Sequence, residues 1–182
     1  MRIVSGTHKG RKLFTPPEDG KIRPTTDRVK EAIFDIIQFD IEGRKVLDLF
    51  AGCGQLGIEA LSRGAASVTF VDESIEAIKL IKKNIEHCGF SAPEYRFSVV
   101  QADAFTFLKG KMKYDIILLD PPYKTNLVKK ALKSIFVIDI LENGGIIVCE
   151  SYENQEEYSG FQRRTYKYGK TYVTVYSKEL TD

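Results

Sequence analysis

The residues Asp120-Pro121-Pro122-Tyr123 close the apolar run Tyr114–Leu119. That run is short and apolar, as in a buried parallel strand. An acid, two prolines and a ring at its end suit one kind of substrate, a planar amine. The exocyclic amine of a nucleobase is a poor nucleophile because its lone pair is delocalised into the ring. The Asp120 carboxylate and the Pro121 carbonyl can each accept one of its N–H bonds, drawing the nitrogen toward a pyramidal geometry. Prolines fix φ and remove N–H donors, so Pro121 and Pro122 hold that carbonyl without a competing donor beside it. Tyr123 can stack on the base and keep it in line for attack. A base that starts in a stacked helix must first be extruded. A proline-terminated strand without chemistry would account for the prolines, but not for the acid or the ring.

A second constellation lies in VLDLFAGCGQLG, residues 46–57. Gly52, Gly54 and Gly57 fit G-x-G-x-x-G, a weak signal alone that allows a tight turn and close approach of a ligand to the backbone. Asp48 precedes this loop, where a carboxylate would repel a pyrophosphate but attract an ammonium group. Asp72 ends the next strand, 20 residues after Gly52, where an acid can grip both hydroxyls of a ribose. Together these favour S-adenosylmethionine over NAD. Asp103 can accept from an adenine amino group or serve as an ordinary helix N-cap. Phe50 and Ala104, beside these positions, complete the expected cofactor contacts. Cys53 reads as a small filler of the loop, because no paired base accompanies it and His8 and His87 lie in other elements.

These groups need a scaffold. Thr26 can cap a helix with Val29, Ala32, Ile33, Ile36 and Ile37 on one face. Strands are expected at Lys45–Leu49, Ser67–Val71, Tyr95–Val100, Tyr114–Leu119 and Ile146–Cys149. Helices lie between them: one ending near Arg63-Gly64, one capped by Ser74 with Ile75, Ile78, Ile81 and Ile85 inward and Gly89 as its stop, a short one over Asp103–Leu108, and one from Asn126 to about Leu141. Asn143-Gly144-Gly145 reads as a turn. Phe161–Tyr168 and Thr171–Ser177, joined by Gly169-Lys170, form a hairpin. The expected fold is α/β: a doubly wound, mostly parallel sheet with an antiparallel hairpin strand near one edge. Its ligands bind outside the carboxyl ends of the strands, where the winding reverses.

The chain has 182 residues, 43% hydrophobic and 29% charged, as in a soluble globular protein of one domain. It has no apolar run of membrane-spanning length and no signal-peptide core at its start. The three cysteines, Cys53, Cys88 and Cys149, have no metal-ligand spacing, so the expected setting is cytoplasmic and reduced, with no metal. Net charge is +2, yet residues 1–30 hold eight basic residues against three acidic ones, a net of +5. A basic arm on a nearly neutral body is the footprint of a polyanion partner, or else a solvated surface segment. Residues 1–20 are expected to form this arm, and residues 21–182 the catalytic domain.

DLFAGCGQLGIEALSRGA (48–65) and LDPPY (119–123) resemble the class I S-adenosylmethionine-dependent amino-methyltransferases. RIVSGTHKGRKLFTPPEDGKIRPTTDRVKEAIFDII, residues 2–37, resembles the opening of the bacterial enzymes that methylate the N2 amine of a guanine, G966, in 16S ribosomal RNA. The resemblance covers essentially the whole chain. It implies a seven-stranded Rossmann-like methyltransferase sheet with a small N-terminal β-hairpin arm, S-adenosylmethionine as methyl donor, and 16S RNA or the small ribosomal subunit as partner of a monomer. Carried over by position, Asp48, Gly52, Gly54, Asp72 and Asp103 would bind cofactor, and Asp120, Pro121 and Tyr123 the guanine. Arg2, Lys9, Arg11, Lys12, Arg23, Thr25 and Arg28 would meet RNA. Cys53 and Gln55 depart from the usual small residues, and Asp72 stands where Glu is common.

Three rivals remain at the level of sequence. An amino-methyltransferase of DNA adenine N6 or of a protein glutamine would use the same clamp. A non-catalytic RNA-binding protein would not need Asp48, Asp72 and Asp120. A NAD-dependent oxidoreductase is disfavoured by Asp48 and by the clamp.

Overall fold

The computed structural model describes residues 1–16, 27–110, 112–122 and 126–178. Twelve elements follow in the order α1 (Asp27–Ile36), β1 (Lys45–Asp48), α2 (Gln55–Ser62), β2 (Ser67–Asp72), α3 (Ile75–His87), β3 (Phe97–Gln101), α4 (Ala104–Leu108), β4 (Tyr114–Leu119), α5 (Leu127–Ile138), β5 (Leu141–Ser151), β6 (Phe161–Tyr168) and β7 (Thr171–Lys178). They build one seven-stranded sheet in the order β3-β2-β1-β4-β5-β7-β6. The first five strands are parallel, and β7 runs antiparallel to both β5 and β6. The winding reverses between β1 and β4, so the crevice expected to hold ligands opens above Asp48 and Leu119.

Alternation along the strands divides the core into two layers. Val46, Val68, Ile116, Leu118 and Val148 pack with α1, α2 and α3. Leu47, Leu49, Ile117, Leu119, Ile147 and Cys149 pack with α4 and α5. A sheet covered on both faces reads as near-continuous apolar strands, which is why β4 is legible from its composition.

Four local expectations change. Ile75 is 47% exposed; it opens α3, and the buried stripe begins at Ile78 one turn later. In α1 the buried face takes in Lys30 and Phe34 beside Val29 and Ile33. The helix α5 ends at Ile138, because Asp139 adopts a left-handed φ of 57° and breaks it. The chain then enters β5 at once, and Asn143-Gly144-Gly145 forms an irregularity within that strand, where the pairing steps from Tyr114↔Leu141 to Ile116↔Ile146. A Cβ on Gly145 would lie 2.8 Å from the Glu142 carbonyl and 2.9 Å from that of Asp115, so the irregularity needs glycine. The expected cap at Thr26 lies outside the described residues.

Residues 1–16 fold against the body. Arg2 and Lys12 form an antiparallel bridge, and Ile3 and Leu13 are buried in the layer beneath α2 and α3.

Candidate active site

The glycine turn is built by the two strands beside it. Gly52 and Gly54 take φ of 54° and 81°, values that favour glycine. The Gly52 N–H donates to Asp72 Oδ2 at 2.8 Å, while Asp72 Oδ1 accepts from Ser74 N at 2.9 Å. The Gly57 N–H donates to Asp48 Oδ2 at 2.9 Å. Both acids singled out by sequence therefore hold the turn through its backbone amides. Gly57 has a different reason to be glycine. A Cβ there would sit 2.2 Å from the Phe70 ring, so α2 can lie close on β2 only without one. Gly52, by contrast, has nothing within 4 Å of where its Cβ would be, and the turn is open above it. An open turn next to a half-buried Asp72 carboxylate fits a nucleoside cofactor whose ribose is gripped by an acid.

Asp48 is 1% exposed. Burial pushes its carboxyl up to about 7, with the Asp72 charge adding to the effect and the Gly57 N–H opposing it. A cationic ligand group next to the turn would oppose that shift. The Cys53 thiol, also buried, is pushed up to about 11 and lies 3.7 Å from the Met1 sulfur, as expected of a filler. Asp103 is exposed, and its Oδ1 accepts from Thr106 N at 2.8 Å as the N-cap of α4. Ala104, just beyond it, is buried, and Phe50 is half-buried against the layer that contains Leu49.

Asp120 follows β4 directly. Asp48 pairs with Leu118, so Asp120, two residues further along the strand, faces the same side of the sheet as Asp48. Pro121 and Pro122 line a cavity of about 410 Å³ together with Asn126, Glu150 and Ser151. Tyr123 lies outside the described residues, as do Arg23 and Thr25.

The basic residues are not gathered at this site. Arg2 lies 3.9 Å from Asp27, at the start of α1 near the exposed Arg28. Lys9, Arg11 and Lys12 run instead toward the far ends of α2 and α3. The adjoining turn donates from Thr7 N to the Ser62 carbonyl at 2.8 Å. Arg11 packs over Gly89, where its Nη1 would lie 2.9 Å from an added Cβ, and the Lys12 carbonyl faces Cys88 Sγ. Gly89 and Ser74 flank a 13-residue helix, a length of about 20 Å at ~1.5 Å per residue.

Three residues belong to the site's framework and were missed in the sequence. Asn84, fully buried, accepts from Phe14 N at 2.8 Å and donates to the Phe14 and Cys53 carbonyls at 2.9 Å each, linking the arm to the glycine turn. Glu59, also fully buried, accepts from Val4 N at 2.8 Å, Ser5 N at 2.9 Å and Arg63 Nε at 2.9 Å, and lies 3.8 Å from Lys30 Nζ. Lys30 in turn donates to the Arg2 carbonyl. Desolvation lowers the Lys30 ammonium's pKa, partly offset by Glu59 and Asp27. Glu150, 2% exposed, lies near the end of β5 level with Asp120 after β4, since Leu119 pairs with Cys149 one step earlier. Its signal was available: an acid after the apolar run Ile-Ile-Val-Cys.

The sheet order, the glycine turn after β1 and the acid that ends β2 are those of a Rossmann-like methyltransferase. A family model described as "Conserved hypothetical protein 95" matches residues 1–177. "Putative rRNA methyltransferase YlbH" of Bacillus subtilis is 41% identical, over 98% of this chain and 99% of that one. "Ribosomal RNA small subunit methyltransferase D" of Escherichia coli is 36% identical over 83% of this chain and 71% of its own. Among solved structures, "Putative methyltransferase yhhF from Escherichia coli" superposes with a TM-score of 0.85 at 31% identity, covering 100% of this chain and 99% of that one. The chain belongs to this family, that of the small-subunit methyltransferase D proteins. Among the described residues no group of acids, histidines and cysteines could hold a metal, and no helix is long and apolar enough to cross a membrane.

Proposed function

We propose that the chain is an S-adenosylmethionine-dependent methyltransferase of 16S ribosomal RNA, acting as a cytoplasmic monomer on the N2 amine of one guanine, G966, in an assembled or partly assembled small subunit. The observation that carries this reading is Asp120-Pro121-Pro122, set at the end of β4 beside the turn after β1 and at the mouth of a cavity lined by both prolines. The relatives' names supply the substrate class, and the arm of residues 1–20 supplies the charge.

The cofactor, when bound, supplies an electrophilic methyl group. Asp72 holds its ribose, Asp48 favours its ammonium, and the open backbone at Gly52 admits it closely while Gly54 turns the chain into α2, with Phe50, Asp103 and Ala104 bordering the nucleoside. Asp120 and the Pro121 carbonyl accept from the two N–H bonds of the guanine amine, with Pro122 keeping that carbonyl fixed and Tyr123 stacking on the base. This orients the nitrogen lone pair and raises its nucleophilicity, an electrostatic preorganisation that needs no rearrangement during reaction. The proton released after transfer goes to Asp120 or to water. Arg2, Lys9, Arg11, Lys12, Arg23, Thr25 and Arg28 contact RNA, so binding weakens steeply with salt.

The test is transfer of a labelled methyl group to small subunits lacking the modification, to naked 16S RNA and to duplex DNA. Label in the ribosomal samples supports the reading. Label in DNA, or none in any nucleic acid despite cofactor binding, overturns it.

A further inference from the structure

The carboxyl ends of β4 and β5 are flanked by a surface that the arm does not account for. Ser151, the last residue of β5, pairs with Tyr172 at the start of β7, so the turn of the β6–β7 hairpin rises on the same end of the sheet as Asp120. A cavity of about 410 Å³ opens there, lined by Tyr152, Lys167, Gly169, Lys170 and Tyr172. Tyr152 also lines the cavity beside Pro121 and Pro122, so its side chain stands between the two. Tyr152 is 47% exposed. Lys167 and Lys170 are exposed, and Lys167 Nζ stands 5.2 Å from the centre of the Tyr172 ring. Gly169, with φ of 62°, has nothing within 4 Å of a Cβ position, so the tip of the turn is open.

Tyr152 is exposed and Tyr172 half-buried, and rings set among lysines are how proteins hold a single nucleic-acid strand: bases stack on the rings and phosphates lie against the cations. The distribution of charge agrees. Glu150 and Glu153 line the cavity beside the prolines, where acids suit a base better than a phosphate, while both lysines line the cavity at the hairpin turn. In the intervening loop Glu156 pairs with Lys129, and Glu157 lies 3.2 Å from Arg163.

We propose that Tyr152, Lys167, Lys170 and Tyr172 form a second RNA-binding surface, which holds the nucleotide next to the one methylated, its base on Tyr152 and its phosphate at Lys167 and Lys170. This rests on RNA being the substrate. It also gives the strand a direction, leaving the reaction cavity toward the β6–β7 turn rather than toward Lys9 and Arg11.

The test compares wild type with Lys167→Ala/Lys170→Ala, Tyr152→Ala and Tyr152→Phe. The probes are small subunits lacking the modification, naked 16S RNA and a single-stranded oligonucleotide spanning the methylated site, with S-adenosylmethionine affinity as the check of fold. Each lost phosphate contact lowers the slope of log K against log salt by ~0.7 for a single strand, so the double variant loses about 1.4. Its KM for RNA rises about tenfold at low salt while cofactor affinity holds. Tyr152→Ala loses about fivefold or more in RNA affinity, in line with one stacked base, and Tyr152→Phe restores it. An unchanged slope and KM in the double variant overturn the proposal. So does an effect seen on assembled subunits but not on naked RNA, which would make this face a protein-docking surface. Wild type that binds and methylates no RNA would instead sink the substrate reading itself. If a variant misfolds, photo-crosslinking of wild type to the oligonucleotide carrying 4-thiouridine decides: cross-links at residues 152 and 167–172 support the surface, and cross-links confined to residues 2–12 refute it.

Discussion

Asn in place of Asp48 should make the protein more stable and a poorer enzyme. Asp48 is buried, and its carboxyl is raised to about 7 from the usual 3.8. The folded value lies above the unfolded one, so between those two pH values the folded chain keeps a proton that the unfolded chain has released. Stability from this group is therefore fully present below about pH 4 and is lost as pH rises through about 7. A separation of about three pH units corresponds to ~4 kcal/mol at ~1.4 kcal/mol per unit. That is an upper bound, because the site can relax around the charge. Asparagine keeps an oxygen to accept from Gly57 N but never ionises. Urea melts of cofactor-free protein should show the Asp48→Asn variant about 2–4 kcal/mol more stable than wild type at pH 8, with the difference closing by pH 4. At pH 8 its affinity for S-adenosylmethionine should fall tenfold or more, because the ligand's ammonium has lost its counter-charge. A stability difference that does not change with pH, or a variant less stable at pH 8, would refute the picture of a charge held ready for a cationic ligand.

Asp120→Ala should leave cofactor affinity intact and reduce turnover ~10²-fold or more, as when one preorganised polar partner of a transition state is removed; single-turnover methylation beside equilibrium binding measures both. Gly57→Ala should lower the melting temperature by several degrees, because a Cβ 2.2 Å from the Phe70 ring forces an overpacking cost of ~1–3 kcal/mol. Glu59→Ala should cost ~3–5 kcal/mol by leaving Lys30 buried without its main counter-charge. It should also release residues 1–16, so that trypsin cuts at Arg11 and Lys12 well before the body, which gel analysis of a timed digest would show.

Much of this architecture was legible because it depends on local rules. β4 announced itself as an apolar run closed by Asp120, and the turn after β1 as three glycines between two acids. What escaped depends on tertiary partners. Lys30 shares a helical face with Ile33, Phe34 and Ile37, but its charge assigns it to solvent, and Glu59 and the Arg2 carbonyl make its burial tolerable. Asn84 interrupts the apolar stripe of α3 three residues after Ile81, a visible anomaly whose meaning lies in the Phe14 and Cys53 backbone it serves. The paired glycines at 144 and 145 read as a turn because sequence does not distinguish a turn from an irregular strand. The location of the arm was the least legible feature. Its charge predicts a polyanion, but the burial of Ile3 and Leu13 and the link from Thr7 to Ser62 decide that Lys9 and Arg11 lie along α2 and α3. The register of β5 with β7, in turn, decides which lysines stand at the same end of the sheet as Asp120.

The most direct measurement is the identity of the methylated nucleoside. Small subunits lacking the modification would be incubated with the protein and isotopically labelled S-adenosylmethionine, their RNA digested, and the products separated by mass spectrometry. N2-methylguanosine, formed by wild type and lost with Asp120→Ala, is the predicted result. A labelled methyladenosine, or N2-methylguanosine formed equally well without the Asp120 carboxylate, would contradict the account of the amine clamp.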